Sequence, residues 1–226
     1  TGSLAGGKAL YDYAHERKIP IPVFSEMGSV NPVVFLPDTM EKNADSLAKQ
    51  YAASITTGMG QFCTKPGLLI AMETEALPAF VECLTRAIHE VEPAPMLHAG
   101  IQAQYDSKLE KALTQPGVKT VFHAKTTSLD KEGPAEEVGL PAIAVVVASA
   151  FLDNPLLHEE VFGPYSLLIK CPDIAVLKQV WQSVRGQLTT SIMGTDKDFS
   201  DYRDLPAIAE VVAGRIAFNS VPTGVE

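Results

Sequence analysis

The alternation of short apolar runs with longer amphipathic ones most restricts what this chain can fold into. Residues 33–36 (Val-Val-Phe-Leu), 68–72, 118–122, 142–148, 165–170, 188–193 and 214–218 have the length and composition of strands. Between them lie helix-length segments with apolar residues three and four apart. The clearest runs from a cap at Asp38 or Thr39 to about residue 57, with Ala44, Leu47, Ala48, Tyr51, Ala52 and Ile55 as its stripe. Helices are expected also after the opening Thr1-Gly2-Ser3 (to residue 18), over 74–91 with Thr74 as cap, and over 101–113, 174–184 and 198–212. A polar loop is expected at 125–139. Residues 19–24, Ile-Pro-Ile-Pro-Val-Phe, read as a short strand pushed toward a sheet edge by its prolines. That strand delivers Glu26 to a carboxyl end, where open α/β sheets hold ligands. The predicted fold class is therefore α/β, a largely parallel sheet flanked by helices.

Charge and cysteine usage narrow the function classes. The net charge is −9 and no Lys/Arg run occurs, which argues against a nucleic-acid or anionic-membrane surface. The longest apolar stretch, 140–152, is too short to span a bilayer. Cys63, Cys83 and Cys171 are odd in number and form no CxxC, so a reducing, cytosolic setting is expected rather than a disulfide framework. The five histidines form neither HxxxH nor HExxH, and no metal site is expected. At 226 residues the chain is long enough for one large or two small domains. It opens on Thr1 and stops in Pro222-Thr223-Gly224-Val225-Glu226 without a helix stop, and it reads as a piece of a longer protein.

Three stretches carry chemistry. In Gly60-Gln61-Phe62-Cys63-Thr64-Lys65-Pro66-Gly67, a cysteine sits between a helix-like and a strand-like run. By itself it is either a loop nucleophile or a small packed thiol. In Ser25-Glu26-Met27-Gly28-Ser29-Val30-Asn31-Pro32, Glu26 is either a surface carboxylate or a general base desolvated by Phe24 and Met27. In Glu159-Glu160-Val161-Phe162-Gly163-Pro164, the acids read as a solvated pair or as acceptors, and Phe162 as a core ring before a Gly-Pro turn or as a ligand contact. Cys83 and Cys171 fall within a helix pattern and at a strand end, as packing residues.

In chain order, with Cys63 in the middle stretch, the three stretches resemble the signatures of the aldehyde dehydrogenase family: a Glu-Leu-Gly-Gly-x-x-Pro-like segment, Gly-Gln-x-Cys and Glu-Glu-x-Phe-Gly-Pro. The spellings from Glu26 to Pro32 and from Gln61 to Gly67 are most similar to the branch that oxidises α-ketoglutaric semialdehyde. The resemblance implies that Cys63 is the nucleophile, with its own N–H in the oxyanion hole, and that Glu26 is the base. It implies that Glu160 accepts from the nicotinamide ribose hydroxyls and that Phe162 packs on the nicotinamide. Met27 and Gly28 lie nearby, and Gly2 and Ser3 lie near the pyrophosphate, where a plain helix cap is the other reading. Phe62, Asn219 and Ser220 fall on the substrate side.

By the same resemblance, the cofactor is NAD or NADP and the substrate a small aldehyde. Residues 1–27 are then the terminal part of the dinucleotide-binding domain and 28–226 the catalytic domain, aldehyde dehydrogenase catalytic-domain-like in fold. The remaining parts, absent from this chain, hold most of the cofactor site and make the full-length protein a homo-oligomer. Two other readings are open: a cysteine-dependent acyl hydrolase with a histidine folded beside Cys63, and a catalytically silent domain kept for assembly.

Overall fold

The apolar runs become strands because helices cover both of their faces. The computed structural model describes residues 2–125, 138–184 and 186–223; most of the polar loop predicted at 125–139 lies outside them. The strands, in chain order, are β1 (Val33–Phe35), β2 (Leu68–Met72), β3 (Ala94–Pro95), β4 (Lys119–His123), β5 (Val138–Gly139), β6 (Ala142–Val147), β7 (Tyr165–Cys171), β8 (Gln187–Met193) and β9 (Ala213–Phe218). The helices are α1 (Leu4–His15), α2 (Pro37–Thr56), α3 (Ala76–His89), α4 (Ala99–Leu113), α5 (Ala148–Leu152), α6 (Ile174–Ser183), α7 (Asp196–Asp201) and α8 (Leu205–Val212). Seven strands form one sheet in the order β4-β6-β7-β2-β1-β8-β9, parallel throughout except at the β4–β6 edge. β3 and β5 make a separate small antiparallel ladder.

Side chains alternate between two cores. Val33 and Phe35 of β1, Leu69 and Ala71 of β2 and Ile143 of β6 meet α2 and α3 on one face. Val34, Ile70, Leu167, Ile169 and Ala144 meet α4, α5, α6 and α8 on the other. Strands buried on both faces need no polar alternation, and so they read as continuous apolar runs. Among the described residues no helix is long and apolar enough to cross a membrane.

Several local expectations are corrected. The strand expected over residues 19–24 does not form; the chain meets a neighbouring backbone just beyond them, where the Gly2 N–H donates to the Glu26 carbonyl at 3.1 Å and Gly2 bridges Met27. A strand needs a partner along its length, and here Ile19 and Phe24 stand 76% and 95% exposed. Glu26 therefore sits ahead of β1, at its amino end, and Phe24 does not desolvate it. The helix predicted over 198–212 is two helices, because Pro206 lacks an N–H and its ring would clash with the carbonyl of Tyr202. Neither Asp38 nor Thr39 caps α2. Its cap position is Leu36 with Pro37 in the first turn, and the orphan N–H groups of Asp38 and Thr39 donate instead to the buried carboxylate of Asp198, at 3.0 and 2.9 Å. Thr74 likewise does not cap α3, whose cap position is Glu75.

Candidate active site

The three chemistry-bearing stretches are the loops that enter β1, β2 and β7, and those strands stand side by side in the sheet. The order β7-β2-β1 thus brings Glu160 and Phe162, Cys63, and Glu26 to one edge. It is the amino-terminal edge of these strands, opposite to the edge that open parallel sheets generally use.

The Cys63 loop is shaped by its backbone. After α2 the chain turns through Gly58, Met59 and Gly60, all with φ between 53° and 65°. At Gly60 a side chain is excluded twice: φ is +65°, and a Cβ would lie 2.3 Å from the carbonyl carbon and oxygen of Gly163. Gly60 of the Cys63 loop is thus pressed on Gly163 of the Glu160 loop. Cys63 is exposed. Its carbonyl accepts from Asn31 Nδ2 at 2.9 Å, and the same amide donates to the Lys65 carbonyl at 2.9 Å. Asn31, itself at φ +43°, is held by Ser29 Oγ and Thr189 Oγ1, which donate to its Oδ1 at 2.8 and 3.0 Å. Gln187 Oε1 accepts from the Val30 N–H at 2.7 Å and lies 3.0 Å from Ser29 Oγ. Gln61 Oε1 accepts from the Leu97 N–H at 2.9 Å and so joins the loop to the entrance of α4.

Glu160 is half-buried against Gly28. There φ is +73°, and a Cβ would come within 3.0 Å of Glu160 Oε2. Burial raises the carboxyl's affinity for its proton, and the charge of Lys65 opposes this. Lys108 of α4 donates to the Glu160 carbonyl at 2.9 Å. Lys65 is 2% exposed, and burial lowers its pKa to about 8 against the opposing pull of Glu160.

A cleft of about 590 Å³ collects Gly2, Ser3, Glu26, Gly28, Cys63, Glu160 and Phe162, with Gln61, Gln104 and Lys108 also in its wall. Ser3 Oγ accepts from the Gly6 N–H at 3.1 Å, so it caps α1 while facing the cleft. Four predicted residues do not line it. The Met27 side chain lies over Gly7, where a Cβ would come within 2.2 Å of Met27 Cγ. Phe62, 40% exposed, packs on Gly58. Asn219, at φ +51°, lies past the carboxyl ends of β8 and β9; its N–H donates to the Ile192 carbonyl, and its Oδ1 accepts from the Gly194 N–H. Ser220 follows in the same bend. Cys171 is buried, with its thiol pushed up to about 12 by burial, and Cys83 is half-buried on α3. No histidine lines the cleft among the described residues.

Sequence reading missed Asn31, Lys65, Gln187 and Lys108. A stripe at Leu97, Ile101, Gln104 and Lys108 was available as helical spacing. Lys65 was available as the lone charge of its octet.

The whole chain, residues 1–226, matches the sequence profile described as the aldehyde dehydrogenase family. It is 36% identical over 227 residues to an alpha-ketoglutaric semialdehyde dehydrogenase of Acinetobacter baylyi, covering 100% of this chain and 42% of that protein. It is 37% identical over 228 residues to alpha-ketoglutaric semialdehyde dehydrogenase 2 of Azospirillum brasilense, with the same coverage. The fold is similar to the crystal structure of a gamma-glutamyl-gamma-aminobutyraldehyde dehydrogenase from Burkholderia cenocepacia, with a TM-score of 0.79 at 21% identity over 100% of this chain and 44% of that one. It is also similar to a 1-pyrroline-5-carboxylate dehydrogenase from Thermus with bound NAD, with a TM-score of 0.75 at 21% identity over 99% of this chain and 42% of that one. The chain thus spans less than half the length of these relatives.

Proposed function

The chain belongs to the aldehyde dehydrogenase family, and on that premise we propose that it is the catalytic part of an NAD(P)-dependent enzyme that oxidises α-ketoglutaric semialdehyde to the acid. The observation that carries this is the single cleft shared by Cys63, Glu26, Gly28, Glu160 and Phe162, drawn from three separated stretches. The two relatives at 36% and 37% identity are both alpha-ketoglutaric semialdehyde dehydrogenases, which supports the substrate.

The residues present fit a nicotinamide nucleotide. Gly28 offers backbone with no side chain beside the Glu160 carboxylate, Phe162 offers a ring, and the 12-residue α1 opens at Gly2 and Ser3, where helix N–H groups suit a pyrophosphate. Bound there, the nucleotide supplies a hydride acceptor. The protein's part is covalent and acid–base chemistry. The thiolate of Cys63 adds to the aldehyde carbon, forming a C–S bond, and the oxygen's negative charge meets the Cys63 N–H. Loss of hydride from that carbon leaves a thioester. Glu26 then takes a proton from water, whose oxygen adds to the thioester carbon; the C–S bond breaks, the thiolate returns and the acid leaves.

In this reading residues 1–27 end the cofactor domain, 28–226 are the catalytic domain, and the full-length protein is a homo-oligomer. It works in a reducing, cytosolic setting that keeps Cys63 a free thiol. The absence of histidine from the described cleft wall counts against a cysteine–histidine hydrolase. The test is Cys63→Ser in the full-length protein, with nucleotide reduction followed in the presence of α-ketoglutaric semialdehyde. The variant is expected to lose activity by about 10³-fold or more; a variant that turns over like wild type sinks the reading.

A further inference from the structure

Lys65 stands two residues after the nucleophile, and its side chain is buried among Val30, Leu68, Leu157 and Val161. A buried ammonium is costly unless its protons are bonded, and an apolar side chain of similar length packs such a site at lower cost. Nζ donates to the carbonyls of Val161 at 3.1 Å and of Tyr165 at 2.8 Å. Those two carbonyls bracket Phe162-Gly163-Pro164, and that of Val161 follows directly on Glu160. At its other end, the Lys65 backbone carbonyl is held by Asn31. One residue thus spans from the loop of Cys63 to the loop of Glu160 and Phe162. Lys65 and Glu160 also line the same narrow cavity.

We propose that Lys65 is a positioning residue: its ammonium pins the Glu160–Phe162 loop to the Cys63 loop, so that the nucleophile and the cofactor-facing carboxylate keep one fixed separation. This rests on the dehydrogenase reading above, because it assigns Glu160 to the nucleotide.

The experiment is a double-mutant cycle in the full-length protein, read as NADH or NADPH dissociation constants by fluorescence titration, beside kcat and nucleotide KM. Lys65→Met removes the charge and both donated bonds, whereas Lys65→Arg keeps a charged donor. Lys65→Met is expected to weaken nucleotide binding about tenfold and to raise nucleotide KM in step, with Lys65→Arg within about threefold of wild type. In a Glu160→Gln background the same Lys65→Met change is expected to cost less than about twofold, since its effect runs through Glu160. A packing role alone lowers the melting midpoint and leaves the dissociation constant of the folded protein unchanged. Equal nucleotide affinity in folded Lys65→Met and wild type, or full additivity with Glu160→Gln, overturns the proposal. If Lys65→Met does not fold, Lys65→Gln, which keeps one neutral donor group, carries the same cycle with the same criteria. A wild-type protein that binds neither nucleotide overturns the dehydrogenase reading, and this inference with it; one that binds and turns over while the cycle is additive overturns this inference alone.

Discussion

At the scale of single residues, the site is a set of polar exceptions inside an apolar edge. Asn31 holds the carbonyls of Cys63 and Lys65 through one amide, and Lys65 ties that loop to its neighbour. Lys65 also makes stability depend on pH in a defined direction. Its unfolded value is near 10.5 and its folded value about 8. Between these, the unfolded chain holds a proton that the folded chain does not, so stability rises with pH there. The penalty for burying the charge, on the order of 3 kcal/mol, is fully present below pH 8 and lifts as the pH approaches 10.5. Other lysines and tyrosines titrate in the same range, so the measurement is the difference in urea midpoint between wild type and Lys65→Met, at pH 7.5 and at pH 10. The gap is expected to move in favour of wild type at the higher pH; a gap that stays constant contradicts the buried-ammonium account.

At the scale of elements, the start of α2 depends on a residue about 160 positions away. Asp198 is 1% exposed; its carboxylate accepts from the N–H groups of Asp38, Thr39 and Thr195, and it completes a capping box with Thr195. Asp198→Ala leaves several donors unpaired at a buried helix start, and the expected cost is about 2–3 kcal/mol. Asp198→Asn keeps one acceptor and is expected to lose about half of that. Chemical denaturation of both variants checks the ranking, and an alanine variant no weaker than the asparagine one would refute it. Because α2 leads straight into the Cys63 loop, Asp198→Ala is also expected to slow alkylation of Cys63.

At the scale of the molecule, one side gathers exposed apolar side chains. Leu10 and Tyr13 of α1, with Ile19 and Phe24 beyond it, stand 61%, 67%, 76% and 95% exposed. An apolar surface of this kind marks a contact, and in the proposed reading it is the face toward the rest of the cofactor domain. The 226-residue chain alone is expected to bind a hydrophobic dye and to self-associate with concentration, and Ile19→Ser with Phe24→Ser to reduce both. Alone it is also expected to reduce nucleotide about a hundredfold more slowly than the full-length protein, or not at all. Robust reduction by the isolated chain contradicts that expectation.

What the sequence determined by itself was local and periodic. The alternation of apolar runs with amphipathic helices specifies an α/β sheet, because strands covered on both faces and helices covered on one leave different spacings. The Gly-Gln-Phe-Cys octet and its two companion stretches carried the family resemblance in their spelling, and Gly60 meets Gly163 too closely for a side chain. What only the tertiary structure decided was long-range. The adjacency of β7, β2 and β1 turned three separate loops into one cleft at the amino edge. It also made Lys65 a strut rather than a surface charge, and it left Met27, Phe62 and Asn219 outside the cleft wall. The segment 19–24, strand-like in composition, formed no strand, since a strand is defined by the neighbour that receives its hydrogen bonds, and no local pattern encodes that neighbour.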